Sequence, residues 1–416
     1  MALIPQGGRV AHEVAGAAVA LDDVLAARAR GQSVVLRPET AYDGLDLVLQ
    51  QLSAVSPGPV HVTDLLGATA TQVGESVAAG TPRSAQALLA YHTSGSTGSP
   101  KCVVYQDGRV ESHAAAVAAA LGLDSGHRYV ALTPAHFAYG SSIWLSHAAC
   151  GIPVRFCLPT WGLPGVQDDD ADAPLALYLL PQQVPLLLNT QLDPGRVERV
   201  FIAGGRISGP SVEALAARFP HLRLTNMYGQ AEMGPRLSVW DGDPSDFVEG
   251  SIGKPISGVQ LRLADEERGR TEPVPLLASS EHAMWTCLKP PYQEFEDGPA
   301  PGEFIDTGDL AMRTPDGGLT HQGRGDHVLN VAGTKIDGRG VTRLIEERFR
   351  PLIVRVTAKP SRVAGDVLPV LEVVPGPGGA ITTRDVRQTL HADYGNLASL
   401  FDVRIVDRLN LGESGK

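Results

Sequence analysis

The chain has 416 residues, enough for two or three domains of roughly 100–200 residues each, with cores that need no disulfide staple. Hydrophobic residues make up 43% and charged residues 19%, alongside 46 Gly and 31 Pro, a turn-rich globular composition that excludes disorder and collagen-like repeats. The 35 basic and 46 acidic residues leave a net charge of −11, which opposes attraction to nucleic-acid backbones or an anionic membrane surface.

In chain order, the pattern predicts a helix over Leu21–Arg30, a strand over Val34–Pro38 and a helix over Gly44–Leu52, a part of the chain with no recognisable chemistry. From Leu88 onward strands and helices alternate. Strands are predicted at Leu88–His92, Tyr129–Leu132, Val154–Leu158, Leu175–Leu180, Val200–Ala203 and Leu222–Met227, with helices at Val110–Leu121, Ser142–Ala149 and Pro210–Phe219. Alternation of this kind predicts an α/β fold of layered sheets and helices. Ser208 stands ready as N-cap of the Pro210 helix. Between about 240 and 320, short strands and Pro/Gly turns predict a smaller β-rich part. After Gly323-Arg324-Gly325-Asp326, roughly 90 residues read as βαββαβ, a small α+β domain. The predicted division is 1–325 and 326–416.

The most informative segment is Tyr91-His-Thr-Ser-Gly-Ser-Thr-Gly-Ser-Pro-Lys101. Hydroxyls and backbone N–H groups after a strand can converge on phosphate oxygens, and Lys101 adds a positive charge. It is not the Walker pattern GxxxxGK[ST], because Pro100 precedes the lysine and Cys102 follows it.

TSGSTGxPK resembles the phosphate loop of the adenylate-forming superfamily, which includes acyl- and aryl-CoA synthetases, peptide-synthetase adenylation domains and luciferases. Further segments resemble that family's motifs in the family's order: Ala203-Gly-Gly205, Asn226-Met-Tyr-Gly-Gln-Ala-Glu232 (YGxTE), Gly250-Ser-Ile-Gly-Lys-Pro255 (GxIGKP), Thr307-Gly-Asp309 (TGD), Gly323-Arg-Gly-Asp-His-Val-Leu-Asn-Val-Ala-Gly333 (GRxDDxIKxxG) and the terminal Ser414-Gly-Lys416. The resemblance covers roughly residues 90–416, with an abbreviated N-terminal region before it.

What the resemblance implies is an enzyme using ATP and Mg²⁺. Thr93, Ser94, Gly95, Ser96, Thr97, Gly98 and Lys101 would hold the phosphates. Gly204 and Gly205 would let adenine approach the backbone, Tyr228 would stack on it, and Asp309 would grip the ribose hydroxyls beside Arg324. Glu232 would help hold Mg²⁺. Lys416 would contact the carboxylate and α-phosphate during adenylation, with Lys101 and Glu232 as further catalytic groups. Asp326 is the implied hinge of a mobile C-terminal domain, and Gly333 lies on the implied acceptor face. Ala231 replaces the usual Thr or Ser, and Asn330 stands where Lys is common.

His136, Phe137, Tyr139, Gly140 and Gly229 are the implied acid pocket. No Asp or Glu lies between Pro134 and Cys150, where amino-acid-activating members place an aspartate against the substrate ammonium. The expected substrate is therefore an aryl or medium acyl acid without an α-amino group. The expected acceptor is the thiol of CoA or of a carrier protein's phosphopantetheine. Two alternatives stand beside this reading. The adenylate could serve amide formation or nitrite-dependent diazotisation of an aryl amine, or the chain could be a non-catalytic nucleotide-binding relative.

Cys102, Cys150, Cys157 and Cys287 form no CxxC pair, which predicts reduced thiols. The first residues carry no basic stretch followed by an apolar run, and no segment approaches about 18 uninterrupted apolar residues. A cytoplasmic location is the expectation. Only six basic residues are lysine, and Lys101, Lys254, Lys335 and Lys416 fall in or beside the motifs.

Overall fold

A computed structural model describes residues 13–14, 17–18, 21–36, 45–56, 60–63, 71–73, 84–93, 100–157, 173–264, 272–325, 328–331, 334–360, 367–376 and 381–409. The strand run Leu175–Leu179 shows how the sequence builds the interior. Leu175, Leu177 and Leu179 enter one apolar cluster, whereas Ala176 and Tyr178 enter another on the opposite face. A strand apolar on both faces belongs in the middle of a parallel sheet covered on both sides.

That sheet has seven strands in the order Lys254–Pro255, Ser238–Gly242, Arg223–Tyr228, Val197–Ile202, Leu175–Leu179, Arg128–Ala131, Val154–Phe156. The last five pair in parallel and the first two are antiparallel. A second seven-stranded sheet runs Phe295–Asp297, Thr286–Leu288, Lys101–Gln106, Leu88–Thr93, Ser33–Leu36, Val60–Thr63, Thr71–Val73. Both sheets share one core with the helices Asp107–Leu121 and Ala138–Cys150. From Tyr139 to Ala148 the second helix is buried on every side, so its serines must satisfy themselves locally. Ser142 and Ser146 donate to the Tyr139 and Ile143 carbonyls of their own helix at 2.9 and 2.8 Å.

The layered α/β expectation holds, with three differences. The helix predicted from Ser142 begins at Ala138, which puts Tyr139 and Gly140 in its first turn. A strand not predicted, Lys101–Gln106, follows the Ser/Thr-rich loop. The residues expected to form one β-rich part divide among three sheets. Only Val259–Leu263, Val274–Ser280, Ile305–Arg313 and Leu319–Arg324 make a separate four-stranded antiparallel sheet. Thr286–Leu288 leaves it to pair with Cys102–Val104, where its three side chains are buried, the Thr286 hydroxyl donates to the Glu296 carbonyl at 2.7 Å, and its backbone covers what would be an open sheet edge.

After Arg324 come a hairpin (Val328–Val331 with Thr334–Asp337), the helix Gly338–Phe349, the strands Ile353–Pro360 and Val367–Val374, the helix Thr383–Tyr394 and the strand Asp402–Ile405. The strand Thr334–Asp337 adds to the expected order. These elements have their own core, with Val331, Val341, Ile345, Leu371, Val373, Val386 and Leu390 buried. They meet the larger part at the helix Gly209–Arg218. Ser208 caps that helix, accepting from the Ser211 N–H at 3.3 Å. Ser208 and Ser211 both donate their hydroxyls to the Leu352 carbonyl, at 2.6 and 2.7 Å. Arg206 pairs with Glu249 at 2.8 Å and with Glu346 at 3.1 Å, and Ala214 packs with Leu352, Val374 and Leu409. Among the described residues no helix is long and apolar enough to cross a membrane.

Candidate active site

Two neighbouring parallel strands end side by side, since Ile202 pairs with Asn226. Ala203-Gly204-Gly205 leaves the first and Tyr228-Gly229-Gln230 the second. Ligands in open α/β sheets gather at such carboxyl ends. Across from them the strand Ile305–Arg313 carries Asp309.

Asp309 gathers four groups. The Tyr228 hydroxyl donates to it at 2.6 Å and the Gln230 amide at 3.0 Å. His321 Nε2 stands 3.3 Å away and Arg324 Nη1 3.9 Å away. Burial alone would push this carboxyl up, but His321 and the Tyr228 and Gln230 hydrogen bonds outweigh it and hold Asp309 below the usual carboxylate range. Tyr228, buried and facing that carboxylate, is pushed the other way and stays a phenol.

A second pair has its carboxylate, Glu232, on the Ala231–Met233 turn. Lys101 Nζ donates to Glu232 Oε1 at 3.1 Å, with both side chains partly exposed. The turn is pinned by the Tyr105 hydroxyl on the Ala231 carbonyl and by the Met284 N–H on the Glu232 carbonyl at 2.9 Å. Thr93 pairs directly with Lys101 across two antiparallel strands, so the Ser/Thr-rich loop connects the strand ends that carry these two residues. Ser94, Gly95, Ser96, Thr97, Gly98, Asp326, Gly333 and Lys416 lie outside the described residues.

The expected acid-pocket residues cluster at the first turn of Ala138–Cys150. His136 is buried with its ring 4.3 Å from that of Phe137. The Tyr139 hydroxyl donates to the Leu179 and Phe201 carbonyls, each at 3.2 Å, which fixes the ring against the parallel sheet. Gly140 and Gly229 are packed to the backbone: a Cβ would meet the Pro134 oxygen at 2.0 Å and the Pro235 oxygen at 2.2 Å respectively. Trp144 is fully buried and donates to the Ala135 carbonyl at 3.1 Å, which makes it core.

Three residues of this region were absent from the sequence reading: Gln230, His321 and Arg236. Gln230 occupies the variable position of the YGxTE-like segment. His321 comes from the next strand of the sheet, where only folding brings it to Asp309. Arg236 lies four residues past Glu232 and is almost completely buried; an arginine directly after Gly234-Pro235 was the available signal.

The fold is that of an adenylate-forming enzyme. Residues 13–275 match the AMP-binding enzyme family model, and the chain belongs to that family. Tyrocidine synthase 2 from Brevibacillus parabrevis is 28% identical over 296 residues, 65% of this chain and 8% of that protein. Indigoidine synthase from Streptomyces lavendulae is 25% identical over 330 residues, 72% of this chain and 25% of that protein. The chain thus spans a quarter or less of the length of these two curated relatives. Among solved structures, the amide bond synthetase McbA from Marinactinospora thermotolerans superposes with a TM-score of 0.64 at 19% identity, covering 98% of this chain and 95% of that one. ATP-bound MatB from Rhodopseudomonas palustris gives a TM-score of 0.65 at 17% identity, with 99% and 94% covered. These likenesses show the same fold.

Proposed function

We propose that this chain joins ATP and a carboxylic acid into an acyl-adenylate, releasing pyrophosphate, and passes the acyl group to a thiol of CoA or of a carrier protein. The observation that carries the reading is the Asp309 cluster built on Tyr228, at the end of the strand that neighbours the one leading to Gly204-Gly205. It supplies an ionised carboxylate for two ribose hydroxyls beside a backbone free of side chains and an aromatic ring.

The acid's carboxylate attacks the α-phosphorus, and charge builds on the phosphoryl oxygens as pyrophosphate leaves. Lys101 stands where it can meet that charge, and Lys416 is the proposed second cation. Among the described residues no group of three His, Cys, Asp or Glu forms a metal cage. Mg²⁺ is held by one or two carboxylates together with substrate phosphates, and Glu232 is the carboxylate proposed for it here. The ion would neutralise phosphate charge. Tyr139, Gly140 and Gly229 shape the acid side, where the absence of an acidic residue from Pro134 to Cys150 favours an aryl or medium acyl acid over an α-amino acid.

Acid-dependent pyrophosphate exchange with a panel of aryl, acyl and amino acids tests the proposal. Exchange with acids lacking an α-amino group is expected. An intact, folded sample that binds ATP but exchanges with none, indifferent to Lys416→Ala, would make the chain a nucleotide-binding relative. Product analysis with CoA, carrier protein, amine or nitrite supplied in turn then distinguishes the acceptors.

A further inference from the structure

The strands Ile305–Arg313 and Leu319–Arg324 do not pair residue for residue. Asp309 stands opposite Arg324 and Leu310 opposite Gly323, but Ala311 stands opposite His321. Gln322 is therefore one residue too many, a β-bulge in the second strand. Gly323, at φ 99°, takes a left-handed backbone conformation that glycine adopts at no steric cost, and the Gln322 amide turns back to the Thr320 hydroxyl at 3.0 Å. Side chains alternate between the two faces of a strand. In an unbroken ladder Gln322 would stand opposite Ala311, and His321 would point away from Asp309. The inserted residue returns His321 to the face that carries Asp309 and Arg324, as bulges beside functional sites re-aim side chains.

The two oxygens of Asp309 are furnished unequally as a result. Oδ2 accepts from the Tyr228 hydroxyl at 2.6 Å and the Gln230 amide at 3.0 Å, which fills the two lone pairs of a carboxylate oxygen. Gln230 is itself tied down, since the same nitrogen donates to the Thr307 carbonyl. Among the described residues Oδ1 is faced by His321 Nε2 at 3.3 Å and Arg324 Nη1 at 3.9 Å, longer distances that leave it capacity for a further donor. The imidazole is held from two directions. The His321 N–H donates to the Gly250 carbonyl at 2.8 Å, and the ring lies 5.8 Å from that of Tyr228, centroid to centroid. A fixed imidazole on one oxygen and two fixed donors on the other set the rotation of the carboxylate, so the remaining lone pair on Oδ1 has one direction.

We infer that His321 is a positioning residue for nucleotide binding: acting through Oδ1, it aims the Asp309 carboxylate at one ribose hydroxyl of ATP. This rests on the adenylation reading in taking ATP as the ligand, and it deepens that reading by naming the oxygen that receives the hydroxyl and the side chain that sets it.

Titration calorimetry with ATP, 2′-deoxyATP and 3′-deoxyATP, in the absence of any acid, tests it. His321→Leu should raise the Kd for ATP about 10-fold, the equivalent of one hydrogen bond to a charged group. His321→Gln, whose amide nitrogen can stand in for Nε2, should recover most of that loss. For one of the two deoxynucleotides, the one lacking the hydroxyl that Oδ1 receives, His321→Leu should change nothing, because the group it would misalign is absent. For the other it should cost as much as for ATP. In pyrophosphate exchange the same variant should raise KM for ATP and leave kcat unchanged, as when uniform binding is lost. His321→Asn, too short to reach Oδ1, should behave like His321→Leu and takes its place if the leucine variant fails to fold. An equal loss for all three nucleotides, no loss with ATP, or no recovery in His321→Gln overturns the inference and leaves adenylation standing. The expected calorimetric pattern without exchange for any acid upholds the inference and overturns adenylation. A folded chain that binds none of the three nucleotides overturns both.

Discussion

Asp309 accepts from Tyr228 and Gln230 and faces His321 and Arg324, so its charge is bound up with four side chains before any ligand arrives. Asp309→Asn removes that charge and leaves the shape. The expected result is a KM for ATP raised roughly 10- to 100-fold in pyrophosphate exchange, as for a lost charged hydrogen bond of about 1.5–3 kcal/mol, with the fold intact by circular dichroism. Two buried histidines make a different expectation. Burial pushes His92 down to about 4 and His113 down to about 3, so both are neutral in the native state while the unfolded chain protonates them near 6.5. The unfolded state binds more protons below pH 6.5; their stabilisation is complete above that value and is lost as pH falls toward 4 and 3. Between pH 7 and pH 5 they should together remove about 4 kcal/mol, read as a falling urea midpoint. A midpoint independent of pH over that range would count against both being buried and neutral. Lys101, Tyr228, Glu232 and Asp309 were legible in the sequence because each sits in a short contiguous pattern. His321 and Arg236 were not, since their meaning lies in what folding places beside them.

The helix Ala138–Cys150 is where the linear reading was least complete. Its first turn looks unhelical, with Tyr139-Gly140 behind Pro134, and it carries three serines. Burial between two sheets overrides that weak propensity, and the serines close onto their own backbone. Trp144→Ala should cost about 3–5 kcal/mol in denaturant melts without altering the order in which acids are used, because the indole belongs to the core. Gly229→Ala should cost about 1–3 kcal/mol through overpacking, since its Cβ would fall 2.2 Å from the Pro235 oxygen. Unlike Trp144→Ala, it should also alter the order in which acids are used, since Gly229 is itself a proposed acid-pocket residue. The divided β-rich segment was illegible for a related reason. Alternation identifies a strand, yet nothing local says which sheet edge a three-residue strand such as Thr286–Leu288 will cover.

Across the molecule, the layered α/β character could be read from composition and pattern, whereas the strands Lys101–Gln106 and Thr334–Asp337 and the contacts joining the two parts could not. Among the described residues those contacts include two serine hydroxyls on one carbonyl, the ion pairs of Arg206 and Arg350 with Glu346 and Glu213, and a small apolar cluster. Arg206→Ala leaves Glu346 and Glu249 facing each other. Burial and Glu249 already raise the Glu346 carboxyl against the pull of Arg206. The variant should therefore loosen the junction at neutral pH, seen as faster protease cleavage near residue 325, and recover at acid pH as Glu346 takes up a proton. Ser208 bears on this junction in two separate ways. Its oxygen lone pair caps the helix Gly209–Arg218 while its proton goes to Leu352. If the small part lifts away, only the proton changes partner, to water, and the cap survives. Were the seam to open, the cloth on its near side would not fray, because the stitch and the hem use different threads of the same residue.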